Sequence, residues 1–467
     1  MANNRNELKN NAQRVLVMQG GSSLGAYEAG AFKAIHEKLI ENDTDNSKSL
    51  FDVVAGTSIG AINAAILVNY AVKNGTWNGS WKTLYDFWDD ISTLTFVEKD
   101  PTFAFRWNSF QNINSKIAKS EAARRYYSVK EILFSGAKNV FTAPQVIPDQ
   151  RFFDPMNIWY LYDNSPLRKI LETYLDKFPL KTKPPGPRLL LVAVDVQEGA
   201  TVTFDSYSKE TSYGEYDKVF DKYKYSVEYP TGLTIDHVLA SASVPISYMY
   251  TQLKGKDYKD KKIQRQFWDG IILSNTPLRE LISEHTTFWK DKPPKESEEV
   301  LLNNILNNNE DKQKVPDIEE VYIVNLWPTK EDHIPLDRDG QVDRKNDILY
   351  HDKTEYDQKV AVLVTDYIDL TTKIISIANN HVAANRREDF KEELERFLIS
   401  DAKSKFRTGK QRQYIDLLKG RFHINKVYRI ERQDDHDTIS NKWADFSSQT
   451  INKLREDGHK QAKLQLK

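Results

Sequence analysis

The sequence predicts an α/β fold: a central, mostly parallel sheet covered by helices, with a charged helical extension behind it. Three observations predict this. From residue 15 onward, short apolar runs of strand length alternate with runs whose apolar residues recur at helical spacing. Glycines mark the first strand-to-helix junctions, at Gly20-Gly21 and Gly56. Beyond about residue 335 the pattern turns helical and charged.

The elements follow in order. Val15 to Met18 reads as a buried strand ended by Gly20-Gly21, and Ala26 to Leu39 as a helix with Tyr27, Ala31, Ile35 and Leu39 on one face. Phe51 to Ala55 is a second strand, and Ala61 to Leu67 a second helix. Residues 77–110 are aromatic-rich and mixed, and take no assignment. Leu167 to Tyr174 reads as helix, the proline-rich stretch Lys181 to Pro187 as loop, and Arg188 to Val196 as the clearest later strand, with Thr201 to Phe204 beside it. Ile235 to Ala242 reads as a short helix and Val321 to Trp327 as a further strand. Lys292 to Glu299 reads as a loop, and the asparagine-rich Asn303 to Glu310 as an exposed one. Val360 to Val382 and Asp389 to Ile399 carry helical spacing, and no repeat of solenoid length is visible. This divides the chain into a flexible N-terminus (1–14), an α/β domain (15–335) and a mainly helical extension (336–467).

Composition narrows the function. The 467 residues allow a large core. A formal net charge of -1 provides no basic field for nucleic acid. The absence of cysteine removes disulfides, thiolate metal sites and cysteine nucleophiles. The polar N-terminus leads into no signal-type stretch, and the apolar run Leu189 to Val194 is far too short to span a bilayer. The expectation is a cytoplasmic protein, compatible with peripheral membrane contact. Oligomeric state is not read from the sequence.

Three features carry candidate chemistry. Gly56-Thr57-Ser58-Ile59-Gly60 fits G-x-S-x-G between a strand and a helix, the context of a nucleophile elbow. Ser58 alone also reads as a structural turn serine or a helix N-cap. Gly20-Gly21-Ser22-Ser23-Leu24-Gly25 follows a strand, where backbone N–H groups converge on an anion, either a phosphate or an oxyanion. It lacks the spacing of a dinucleotide fingerprint and the Gly-Lys-Ser/Thr ending of a Walker loop; the other reading is a tightly packed turn. Asp269-Gly270 follows Phe267-Trp268, so its carboxylate is either a base in a dry pocket or part of an ordinary turn.

Taken in order, the three features resemble the patatin-like phospholipase family, of the bacterial or archaeal type. Gly20 to Gly25 matches the family's oxyanion loop, Gly56 to Gly60 its elbow, and Asp269-Gly270-Ile271 its Asp-Gly motif. Gly25-Ala26-Tyr27-Glu28-Ala29-Gly30, Ala240-Ser241-Ala242-Ser243-Val244-Pro245 and Asn275-Thr276-Pro277-Leu278 resemble the flanking segments, so the likeness runs from about Val15 to Glu280. Three positions depart: Ser22 replaces a glycine, Leu24 stands where most members carry Arg or Lys, and Ile271 follows Asp-Gly in place of Gly or Ala. The resemblance implies a three-layer α/β/α fold and a serine acyl hydrolase of phospholipids or related acyl lipids. It implies Ser58 as nucleophile, Asp269 as its base, and the amides of Gly20, Gly21 and Ser22 as oxyanion donors, with no metal or other cofactor. A soluble carboxylesterase or thioesterase with the same dyad is an alternative, as is a non-catalytic lipid-binding protein that keeps the fold.

Other signals are weaker. A histidine triad would draw on His285, His333, His351, His381 or His423, none in a sharp motif; His237 reads as helix surface. Asp434-Asp435-His436-Asp437 reads as a solvated acidic loop or a metal site without partner spacing. Phe103, Phe105, Trp107 and Phe110 read as core, acyl channel or interfacial patch. Lys403, Lys405, Arg407, Lys410, Arg412, Lys419 and Arg421 read as a solvated face or a contact with anionic lipid. Asp445-Phe446-Ser447 with Gly458 faintly resembles the tail of some bacterial members.

Overall fold

The computed structural model describes residues 12–42, 49–100, 120–143, 160–290, 306, 315–404, 411–418, 422–433 and 439–467. In chain order these form β1 (Gln13–Met18), α1 (Gly25–Asn42), β2 (Val53–Thr57), α2 (Ile59–Asn74), α3 (Ser80–Ile91), α4 (Phe96–Lys99), α5 (Glu121–Ser135) and α6 (Ser165–Tyr174). Then come β3 (Arg188–Asp195), β4 (Ala200–Asp205), β5 (Glu210–Asp217), β6 (Lys222–Glu228), α7 (Ile235–Ala242), β7 (Thr251–Asp257), β8 (Lys262–Asp269) and α8 (Leu278–Lys290). The last are β9 (Ile318–Asn325), α9 (Arg338–Tyr350), α10 (Glu355–His381), α11 (Arg387–Leu398), β10 (Ile424–Glu431) and α12 (Ser448–Gln465).

Five strands run parallel in the order β10-β9-β1-β2-β3. Every residue of β2 and β3 is buried, which is why both read as near-continuous apolar runs. The two sheet faces carry separate cores. Leu16, Met18 and Val54 face one with α1 and α2, while Val15, Val17 and Val53 face the other with α8. Helices on both faces make the three-layer α/β/α arrangement.

An antiparallel arm, β8-β7-β6-β5, extends this sheet, and β4 pairs β3. A strand has two edges, yet β3 has three partners. β4 takes one edge along Leu190 to Asp195. On the other, β2 pairs Arg188 to Val192, and β8 takes over at Ala193 to Asp195. Asp269 therefore sits opposite Ala193, just past the point where Thr57 ends its pairing with Val192. This shared edge brings the end of β8 to the elbow.

A buried ion pair fixes the register there. Arg265 grips Asp195 with two bonds (2.8 and 2.6 Å), and the Tyr213 hydroxyl donates to the same carboxylate at 2.6 Å. Such a two-pronged contact specifies geometry as well as attraction.

Residues past 335 do more than form helices. β10 adds a strand to the parallel edge beside β9, which the helical reading did not foresee. Helix α12 lies against α1 so closely that two glycines are required. A Cβ on Gly30 would fall 1.9 Å from the Arg455 carbonyl oxygen, and one on Gly458 would fall 2.1 Å from that of Tyr27. No described helix is long and apolar enough to cross a membrane. The aromatic group Phe103 to Phe110, the acidic run Asp434 to Asp437 and most of the basic stretch after Lys403 lie outside the described residues, as do residues 1–11.

Candidate active site

The elbow forms at the C-terminal end of β2. Ser58 stands between strand and helix with φ 58° and ψ -124°, a backbone region most side chains avoid. Its glycines have steric causes. A Cβ on Gly56 would meet the Gly60 carbonyl oxygen at 2.3 Å, and one on Gly60 would meet that of Met18 at 2.4 Å. The Ser58 N–H donates to Ser241 Oγ at 3.0 Å, and Ser241 Oγ donates to the Val192 carbonyl at 2.5 Å. This fully buried serine satisfies the amide of the strained residue. The sequence reading noted the segment around Ser241 and missed its role.

Asp269 ends β8 with no exposed surface. The Ser58 hydroxyl donates to its Oδ2 at 2.5 Å, and the Ile271 N–H donates to Oδ1 at 2.9 Å. Its own N–H donates to the Ser243 carbonyl at 2.9 Å, so α7 and its exit hold both halves of the pair. Burial pushes the Asp269 carboxyl up from 3.8 to about 7; the bonds from Ser58 and Ile271 pull the other way and do not cancel it. The Tyr248 hydroxyl is pushed above its ordinary range by burial, with the Asp269 charge adding to the effect.

The glycine loop runs along the same pair. A Cβ on Gly20 would fall 3.0 Å from Ser58 Cβ, and one on Gly25 would fall 2.6 Å from Ile59 Cγ1. The three amides read as donors differ. Gly20 N–H is already committed to the Asn275 carbonyl at 3.2 Å, a correction that leaves Gly21 and Ser22 as the loop's candidate donors. Ser22 adopts φ 53°, so this departure from glycine is carried at some conformational cost. Leu24 is packed in the core, and no charge stands at that point of the loop. Glu28, one turn into α1, is fully buried against Asn63 (2.8 Å), and burial raises its carboxyl well above the usual range.

Residues from the far end of the chain hold the loop. Gln19 donates to Thr276 Oγ1 (2.8 Å) and to the Tyr350 carbonyl (3.0 Å), and accepts from Leu326 N–H at 2.6 Å. Trp327 Nε1 donates to the Gly20 carbonyl at 2.7 Å. The Ser23 hydroxyl bonds to the carbonyls of Lys442 (3.0 Å) and Trp443 (2.8 Å). The Lys442 ammonium is itself buried between Asp343 (3.0 Å) and Asp347 (2.7 Å). Gln19 and Thr276 stand in or beside the sequence motifs, whereas Tyr350, Lys442 and Trp443 carried no sequence signal.

Among the described residues no histidine nitrogen bonds to Ser58 or Asp269. His237 accepts from the Thr234 N–H, His285 bonds to the Pro316 carbonyl, and burial pushes both rings down to about 4. His237 is buried among Phe204 and Tyr229, a correction to its reading as helix surface. His423 lies between Asp317 and Asp369, and His351 bonds to the Ile348 carbonyl. Among the described residues no His, Asp and Glu cluster is arranged to hold a metal. A cleft of about 700 Å³ lined by Trp77, Asp52 and Pro187 lies at the opposite, N-terminal ends of β2 and β3. Nearer the pair in sequence, Ile246, Met249, Ile272 and Leu273 are exposed.

The arrangement offers a serine hydroxyl bonded to a buried, ionisable carboxyl, with a glycine loop beside it. That is a set of parts for acyl transfer. A family profile described as patatin-like phospholipase matches residues 16–282, more than half of the chain. No curated protein matches it. Among solved structures the chain is similar to VipD from Legionella pneumophila at 11% identity and a TM-score of 0.28, over 97% of this chain and 66% of that one. The chain thus spans just under two thirds of that protein's length.

Proposed function

Because the chain belongs to the patatin-like phospholipase family, we propose that it hydrolyses acyl esters of phospholipids or related lipids through a Ser58–Asp269 dyad. One observation carries this: the Ser58 hydroxyl points its proton at a wholly buried carboxylate 2.5 Å away. Asp269 accepts that proton as Ser58 Oγ attacks the ester carbonyl. The oxyanion is received by the amides of Gly21 and Ser22. Ile59 N–H, next after the nucleophile at the start of α2, is the third donor. Collapse expels the alcohol with the proton from Asp269, leaving an acyl-serine. Water then attacks the acyl group and gives its proton to Asp269, and collapse releases the fatty acid as Asp269 returns that proton to Ser58 Oγ. The exposed Ile246, Met249, Ile272 and Leu273 supply an apolar rim for an acyl chain and for peripheral contact with a membrane.

Two assays test this reading. Liposomes of diacyl phospholipid should release free fatty acid with the purified chain, while lysophospholipid or alcohol accumulates. Turnover of short nitrophenyl esters with intact liposomes would replace the lipase reading by a soluble esterase. No turnover of either, and no labelling by a fluorophosphonate, would leave a binding protein.

The pH dependence follows from Asp269. The base works only when ionised, and its carboxyl titrates at about 7. kcat/KM for a nitrophenyl ester should therefore rise tenfold per pH unit below about 7 and level off above it. A profile already flat from pH 5 would show that Asp269 is not the titrating base.

A further inference from the structure

We propose that α10 is a self-association seam that joins two copies of this chain through an antiparallel helix pair. The helix rests on the body by one face, where Thr365, Ile368 and Ser376 are buried and the Thr365 hydroxyl donates to the Phe422 carbonyl at 2.9 Å. Its other face is apolar and open. Tyr356, Val360, Leu363, Tyr367, Leu370, Ile374 and Ile377 follow one another at alternating steps of four and three residues. All seven are exposed, from 38% at Val360 to 74% at Tyr356. That is an unbroken heptad seam over three repeats, the pattern two helices need to interlock. A solvated helix has no use for it. Leu306, the described residue of its neighbouring segment, packs at Ile375 and bonds Asn379, off the seam.

Charge selects the partner and its direction. Lys359, Asp366 and Lys373 run along one side of the seam, and neither Asp366 nor Lys373 joins an ion pair among the described residues. In an antiparallel pair these positions face their own kind on the second helix. One register sets Tyr367 against Leu370 of the second copy, Leu363 against Ile374, and Val360 against Ile377. The same register brings Asp366 against Lys373 of the second copy, twice by symmetry. Sliding by one heptad would oppose Lys359 with Lys373 and Asp366 with itself. A parallel pair would face Asp366 with Thr371 and Lys359 with Val364, and gain nothing. A membrane surface fits less well, because the seam is flanked by both signs of charge and lacks the basic border of interfacial helices.

The full chain should run as a dimer at micromolar concentration by light scattering. Leu363→Glu with Ile374→Glu should convert it to a monomer that keeps its circular dichroism and its ester turnover. Asp366→Lys alone should weaken the dimer at least tenfold, and Asp366→Lys with Lys373→Asp should restore it. The native chain has no cysteine, so Leu363→Cys with Ile374→Cys should give an oxidised covalent dimer. Those two positions lie about 16 Å apart along one helix and cannot bridge within a copy. A monomeric wild type, a dimer that survives the paired glutamates, a charge exchange without rescue, or vesicle binding through α10 in place of self-association would each overturn the proposal.

Discussion

Asp269→Asn lowers kcat/KM for ester hydrolysis by about 10⁴-fold, at the upper end of what a general base contributes, while leaving the protein more stable at alkaline pH. Both effects follow from one geometry. Asparagine fits the site: its oxygen accepts the Ile271 N–H, and its NH₂ donates to Ser58 Oγ, where the carboxylate accepted from both. The reversed bond gives the serine proton nowhere to go. The stability change has a definite sign. A carboxyl raised from 3.8 unfolded to about 7 folded holds its proton more tightly in the fold. Its contribution is therefore fully favourable below the unfolded value and is lost as pH rises through about 7. At pH 8 the native chain bears an ionised buried carboxylate at a cost on the order of a few kcal/mol, which the amide does not bear. Ser58→Ala should abolish turnover and fluorophosphonate labelling together. Parallel kinetics and thermal unfolding at pH 6 and 8 check the pair of claims. An Asp269→Asn enzyme with near-native turnover, or one less stable at pH 8, sinks them.

Lys442→Met destabilises the fold by about 3–5 kcal/mol, the cost of leaving a buried charge without its partner. Here two carboxylates are stranded. Asp343 is already raised to about 6, first by burial, with Lys442 opposing and Asp347 adding. Without the ammonium the Asp343 carboxyl rises further, so the variant should regain stability as the pH falls and it protonates. Lys442→Met with Asp343→Asn and Asp347→Asn should recover most of the loss, because neutral amides need no cation. The loss should also reach the chemistry, since Ser23 in the glycine loop is bonded to the Lys442 carbonyl. Urea unfolding of the single and triple variants across pH 5 to 8 decides it. Equal losses at every pH would mean that packing, not charge, is what Lys442 supplies.

The parallel half of this fold was legible because buried parallel strands leave unbroken apolar runs, as in Leu189 to Val194. The pairing of Ser58 with Asp269 was expected through the family resemblance, whose motifs are local: Gly56 and Gly60 answer close backbone approaches, and Asp269 precedes a glycine whose Cβ would sit 2.5 Å from the Val192 carbonyl oxygen. The antiparallel arm was not. Its strands, such as Lys-Tyr-Lys-Tyr-Ser-Val-Glu in β6, are half-buried and carry charges that solvent accepts. β10 hid for the same reason, with Asn425 and Lys426 exposed on an edge strand. The roles of Gln19, Ser241 and Lys442 were not legible because their partners are far along the chain: Lys442 meets carboxylates 99 and 95 residues earlier. Nothing local marks such a lysine.

The far-end support of the glycine loop also sets a schedule. Ser58 is made within the first sixty residues and Asp269 some two hundred later, yet the loop beside them is tied by Tyr350, Lys442 and Trp443. A nascent chain emerges from the ribosome in that order, so the Gln19 and Ser23 side chains lack their final partners until about residue 443 has left the tunnel. The glycine loop therefore takes its final form only after the segment between β10 and α12 has packed against it.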